Sequence, residues 1–362
     1  METFRERHLA TFERKPVSPV VWQPRLEHWY HTHQRLGTLP RRYRGMSLPE
    51  LYDDLGCSMR GYHLFNPCLC QEQHPELVVT REERADQVRT TWTTPVGALT
   101  QVEKRTELSH LVREFPVKSV DDLAVLEWML RGRRWWWDEE RYRQALAEMG
   151  ERGAPTIYVP RFSLMRCIIE WMGLEGTIYL LADHPREMER LLAVVEETDD
   201  PIYEVVAACP VRIINHGDNV HADLLPPPLL RRWGVPRYRR RAERLHRAGK
   251  FVFPHWDGYV KTILPLAREC DFDGIEAITP EPQGDVTLEE ARREMGEMIL
   301  IDGLPAIYFL PDYPVAALLE CTRRCLELFA PHLVLGISDE ISPPGDIERV
   351  RMVSELVAGG RG

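Results

Sequence analysis

Two residues in this sequence are best placed to do chemistry. His255 ends the apolar run FVFPHWDG (251–258), and Glu276 interrupts the apolar run DGIEAITP (273–280). A carboxylate within an otherwise apolar strand must be paired, bound or turned toward the mouth of a site, because burying it bare is too costly. If the two runs are neighbouring strands, an imidazole nitrogen and a carboxylate oxygen face one another, a pair suited to zinc. Asp257 is the expected third ligand, with Asp218, Asp339 and Glu340 competing for the place. The plainer reading is also open: a strand-end histidine is often structural, and Asp257-Gly258 is a common turn pair.

Other charged groups end apolar runs in the same manner. Asp218 and Asp302 are candidates to orient a substrate or to supply a proton to a leaving oxygen. Arg25 and Arg161 are candidate carboxylate clamps, and Trp22 a candidate substrate contact. His63, Cys68, Cys70 and His74 form an H-x4-C-x-C-x3-H cluster, although the one-residue cysteine spacing departs from that of zinc knuckles. Cys321 and Cys325 lie one helical turn apart, and the tryptophans at 135–137 suit packing or a lid. The basic run PRYRRRAERLHR (236–247) suits the solvated face of an amphipathic helix.

The elements that must position these groups follow from the apolar rhythm. From about residue 155, short apolar runs at 156–162, 211–219, 250–258, 273–280, 298–305 and 332–340 alternate with helical stretches. Repeated strand–helix units predict a parallel sheet with helical crossovers. Runs at 18–26 and 55–65 supply two further strands, which makes eight. The expected class is therefore α/β, a (β/α)8 TIM barrel with an N-terminal extension, in which site residues project from the C-terminal strand ends. A Thr-rich, period-two segment at 76–105 predicts an inserted β-hairpin. No linker or repeat interrupts the chain, so residues 1–362 are expected to form a single domain.

The chain has 362 residues, 44% of them hydrophobic and 28% charged, with a formal charge of −10. This is an ordinary soluble composition, and the negative balance disfavours nucleic acid as a partner. The N-terminus lacks the apolar core of a secretory signal, and no run has the length of a membrane span. Eight scattered cysteines are expected to be reduced thiols, consistent with the cytoplasm.

In its order of features the chain resembles the uroporphyrinogen decarboxylase superfamily, particularly its methyltransferase-like branches. The residues carrying the likeness are GDN (217–219), LHRAGKFVFPHWDG (245–258), CDFDGIEAITPEPQGD (270–285), VVWQPRLEHWY (20–30) and LGISDEISPP (335–344). The resemblance implies a (β/α)8 barrel. The early arginine-rich motif of true porphyrinogen decarboxylases is recognisable only at Arg25, which disfavours heme biosynthesis. Corrinoid-dependent methyltransferases of this superfamily hold zinc through a His-x-Cys pair and a last-strand cysteine. Here His255 matches the histidine, Asp257 stands in place of the first cysteine, and Ser338 and Asp339 occupy the last strand.

The resemblance thus implies a zinc site of nitrogen and oxygen ligands, a harder Lewis acid suited to a substrate oxygen. The expected activity is transfer of a methyl group from a small methoxylated compound to a corrinoid (cobalamin) on a separate protein. The alternatives are a cofactor-free decarboxylase or lyase, and a non-catalytic barrel that binds a partner. A homodimer is compatible with the family.

Overall fold

The computed structural model describes residues 2–106 and 110–359. They fall into two compact units, one of Met1–Cys68, Glu139–Val159 and Pro210–Gly362, the other of Leu69–Asp138 and Pro160–Cys209.

The first unit is built on a curled, seven-stranded parallel sheet. In spatial order its strands are Val21–Trp22, Leu333–Ser338, Ile299–Pro305, Gly274–Ile278, Phe251–Trp256, Ile213–Val220 and Thr156–Val159. All six pairings are parallel. The strands Gly274–Ile278, Ile299–Pro305 and Leu333–Ser338 are buried at every residue. Such continuous apolar runs are what a parallel sheet covered on both faces requires. Helices Val235–Arg247, Leu288–Met295, Val315–Phe329 and Glu348–Gly359 follow the strands Ile213–Val220, Gly274–Ile278, Ile299–Pro305 and Leu333–Ser338, as the strand–helix rhythm predicts, whereas Phe251–Trp256 is followed by the 3-10 turn Leu264–Glu269. The basic run forms the first of these, burying Tyr238, Ala242 and Leu245 on one stripe.

The eighth strand expected at 55–65 does not form, and the sheet is not closed into a barrel. Leu55 ends the helix Leu48–Leu55, and Gly56 caps it with φ 70°. Gly61, at φ 67°, then turns the chain into the short helix Tyr62–Phe65. The two left-handed glycines turn the chain at either end of residues 57–60, where no strand forms. The segment instead bridges the gap: Ser58 N donates to Trp22 O (2.7 Å) and Met59 N to Arg152 O (2.9 Å).

The N-terminal extension is the helix Phe4–Phe12, opened by a Thr3–Glu6 capping box. Phe12 packs 5.5 Å from Phe251 and 5.8 Å from Phe253 between ring centroids. With Val21, Ile213, Ile299, Ile301 and Val334 it forms an apolar layer toward the N-terminal ends of the strands.

In the second unit the expected hairpin is larger than anticipated. Val78–Arg84, Gln87–Thr94, Gly97–Arg105 and His110–Glu114 make a four-stranded antiparallel sheet. The tryptophan triplet forms the strand Arg134–Trp137, paired antiparallel with Leu69–Glu72. Among the described residues, no helix is long and apolar enough to cross a membrane.

Candidate active site

The register of the sheet sets His255 directly beside Glu276. His255 Nδ1 lies 2.7 Å from Glu276 Oε2, and both side chains are almost completely buried. Asn215 Nδ2, from the next strand, donates to the same oxygen at 2.6 Å. Oε1 accepts from Arg60 Nη1 and from Tyr62 OH, each at 2.8 Å. Four donors thus surround one carboxylate. Burial opposes its ionisation, but Arg60 and His255 outweigh burial and hold Glu276 well below the usual carboxylate range.

Arg60 is the centre of a second set of contacts. Its Nη2 donates to Asp302 Oδ1 at 2.5 Å and its Nη1 to Oδ2 at 3.3 Å. Its Nε donates to Gln23 Oε1 (3.3 Å) and its Nη2 to the Gln23 carbonyl (3.2 Å). Gln23 in turn donates through Nε2 to Ser58 Oγ (3.0 Å) and Met59 O (3.1 Å). The bridging segment at 57–61, which replaces an eighth strand, therefore delivers the guanidinium that pairs the two buried carboxylates. Burial and the neighbouring Glu276 raise Asp302 against the pull of Arg60, to about 6.

The backbone is bent to make this possible. The pairing of Gly274–Ile278 with Ile299–Pro305 shifts register between Glu276 and Ile278, a bulge that re-aims side chains. Ala277 (φ 69°) and Asp302 (φ 82°) both take the left-handed conformation that non-glycine residues avoid. Gly336, on the adjacent strand, gives the pair its room: a Cβ there would lie 2.2 Å from Asp302 Oδ1 and 3.0 Å from Arg60 Nη2.

His255 holds its second ring nitrogen, Nε2, clear of the Glu276 contacts. Burial disfavours its charge, but the hydrogen bond and the charge of Glu276 prevail, with Asp339 and Asp257 adding to them, and raise it to about 9. Its ring is therefore an imidazolium at neutral pH. Among the described residues, Nε2 has no hydrogen-bond partner. Nearby, a cavity of about 150 Å³ is lined by Arg25, Glu27, Arg60, Tyr62 and His63. Arg25 pairs there with the half-exposed carboxylate of Asp339. Tyr158 stacks on Tyr62 at 4.0 Å, and burial together with Glu276 keeps its phenol protonated.

The expected zinc site does not fit these residues. Both oxygens of Glu276 are already saturated, His255 Nδ1 sits in direct contact with one of them, and a permanent cation, Arg60, abuts the other. Asp257 is not grouped with His255 and Glu276 in an arrangement for a metal ion among the described residues. Asp339 pairs with Arg25, and Glu340 with His28 at 3.4 Å. Among the described residues no group of three His, Cys, Asp or Glu side chains is arranged for a metal ion. His63 pairs instead with Glu27 at 3.7 Å, and His74 packs on Trp128 at 4.5 Å.

Of the other anticipated residues, Asp302 and Arg25 belong to the cluster and its rim. Asp218 is fully buried and accepts from Tyr238 OH at 2.7 Å, so it faces the helix Val235–Arg247. Trp22 points the opposite way from its neighbour Gln23, toward the helix Glu348–Gly359. Arg161 lies in the second compact unit, paired with Glu170 at 3.3 Å. Arg60, Tyr62, Asn215 and Gln23 were not anticipated. The signal for Asn215 was present, a polar residue inside the run VRIIN. Arg60 was concealed because 55–65 reads as a strand.

No protein family matches the sequence, and no curated protein does. Among solved structures, a methyltransferase from Methanosarcina mazei aligns over 100% of both chains with a TM-score of 0.58 at 14% identity. A B12-independent methionine synthase from Shewanella sp. W3-18-1 aligns over 85% of this chain and 83% of its own, with a TM-score of 0.44 at 12% identity. The first of these likenesses establishes a shared fold.

Proposed function

We propose that the chain is a methyl-transfer enzyme in which His255 is the proton donor. The observation that carries this reading is the His255–Glu276 pair: an imidazolium fixed through Nδ1, with Nε2 free of hydrogen-bond partners among the described residues. A general acid needs a held orientation, a proton at working pH and an open donor atom. In a methoxylated substrate the methyl C–O bond breaks and the methyl group passes to the electron pair of an acceptor. The oxygen keeps the bonding electrons and takes the proton from His255 Nε2. Arg25, at the edge of the cavity, holds a substrate carboxylate by exchanging it for Asp339. Arg60, Tyr62 and Asn215 keep Glu276 ionised and in place, and so keep His255 charged. The acceptor implied by the family resemblance is the reduced cobalt of a corrinoid on a separate protein, which supplies the nucleophile.

The fold shared with a methyltransferase supports the reaction class. The same imidazolium can protonate a carbanion after loss of carbon dioxide, and the Arg25-lined cavity favours that decarboxylase reading second. The two separate in one assay. Full-length protein is mixed with methoxybenzoates and free cob(I)alamin, and methylcobalamin is followed by absorbance. Methylcobalamin that forms with the wild type and not with His255→Asn supports methyl transfer. Its absence, together with carbon dioxide release from a polycarboxylate, establishes the second reading instead.

A further inference from the structure

The two edge strands of the open sheet, Val21–Trp22 and Thr156–Val159, are tied to one bridging segment. On one side Ser58 N donates to Trp22 O at 2.7 Å; on the other Tyr158 N donates to Asn66 Oδ1 at 2.8 Å. Arg25, just past the first edge strand, lines the small cavity with Arg60 and Tyr62. Tyr158, on the last edge strand, sits beside Asn215 in the register and stacks on Tyr62, with 23° between the rings.

The hydroxyl of Tyr62 is committed: it donates to Glu276 and accepts from Asn215 Nδ2 at 2.7 Å. The hydroxyl of Tyr158 is not. It makes no hydrogen bond among the described residues, and its oxygen is open to solvent on a partly exposed side chain. The ring that carries it is held in place. One neighbour is the Tyr62 ring, and Gly217 leaves the other room: a Cβ there would lie 2.8 Å from Tyr158 Cδ1. Burial first, then the charge of Glu276, keeps the phenol protonated against the pull of Arg25 and Arg60. It is therefore a fixed, neutral donor beside the Arg25 guanidinium.

We propose that Tyr158 determines specificity together with Arg25, donating its hydroxyl to the second oxygen of a substrate carboxylate that Arg25 holds. The inference rests on the reading of Arg25 as a carboxylate clamp, and it narrows the substrate class to methoxylated carboxylic acids. A carboxylate has acceptors for both donors and makes charge-assisted bonds with each. A neutral substrate end leaves at least one of the two bonds weak.

The test is titration calorimetry of the full chain, without cobalamin, using 4-methoxybenzoate and its neutral counterpart 4-methoxybenzyl alcohol. The wild type binds the acid about tenfold or more tightly than the alcohol. Tyr158→Phe keeps the stacked ring and lowers that preference by about fivefold or more, because the acid loses a charge-assisted bond and the alcohol at most a neutral one. Arg25→Met lowers it as well. A preference unchanged in Tyr158→Phe overturns the proposal, and so does one undiminished in Arg25→Met. Failure of the acid to bind the wild type up to about 10 mM also overturns it. No methyl acceptor is present, so a failure of methyl transfer shows only in the methylcobalamin assay and leaves this result standing.

Discussion

His255 and Glu276 owe their behaviour to what surrounds them rather than to their own types. A buried carboxylate alone would be neutral; four donors make it an anion, and that anion makes its histidine neighbour a cation. The cost of removing a partner follows. Arg60→Met leaves Glu276 and Asp302 buried together without their shared cation, and should destabilise the fold by about 3–5 kcal/mol, read as a lower urea midpoint. An unchanged midpoint would mean that the carboxylates do not depend on Arg60. Gly336→Ala pushes a methyl group into the same pair and should cost about 1–3 kcal/mol in the same experiment. The His255–Glu276 contact was legible in the sequence, because a histidine ends one apolar run and a carboxylate interrupts the next. Its chemistry was not. Distinguishing a metal pair from an acid–carboxylate pair depends on Arg60, which arrives from a segment almost two hundred residues earlier in the chain.

At the scale of elements, the strand–helix rhythm from residue 155 onward was readable because parallel strands buried on both faces are continuously apolar. The run at 55–65 misled for the same reason. It is buried in the structure, but Gly56 and Gly61 break it into a helix end, a bridge and a helical turn. Burial produces apolar residues whether or not a ladder forms, so hydrophobicity alone does not separate the cases. The N-terminal helix seals the end of the sheet opposite the site. Phe12→Ala should lower stability by about 3–5 kcal/mol through the cavity it leaves, while the titration of His255 stays where it is. A His255 titration that moves with Phe12→Ala would show the two ends of the sheet to be coupled.

For the whole molecule, the site writes itself into the pH dependence of stability. His255 is raised from 6.5 to about 9 on folding. Its contribution is therefore complete below pH 6.5 and lost as pH rises through about 9. Linkage puts that contribution at roughly 3 kcal/mol. Asp302, raised from 3.8 to about 6, acts in the same direction at lower pH: its contribution is lost as pH rises through about 6. Glu276 has the opposite sign, because its pKa is depressed: its contribution is present above the ordinary glutamate range and lost as pH falls below it. Chemical denaturation from pH 6 to pH 10 should show a decline that is smaller in His255→Asn. Equal declines in both proteins would remove His255 as its source.

The most direct test of the account is the titration of His255 itself, followed by NMR in protein carrying 13C-labelled histidine and assigned by loss of the resonance in His255→Asn. In the wild type the imidazole should titrate near 9, and in Glu276→Gln it should fall below that by at least about one unit, as loss of a buried charged partner requires. A wild-type His255 that titrates at or below 6.5, or one indifferent to Glu276→Gln, would contradict the claim that this pair holds a proton for transfer.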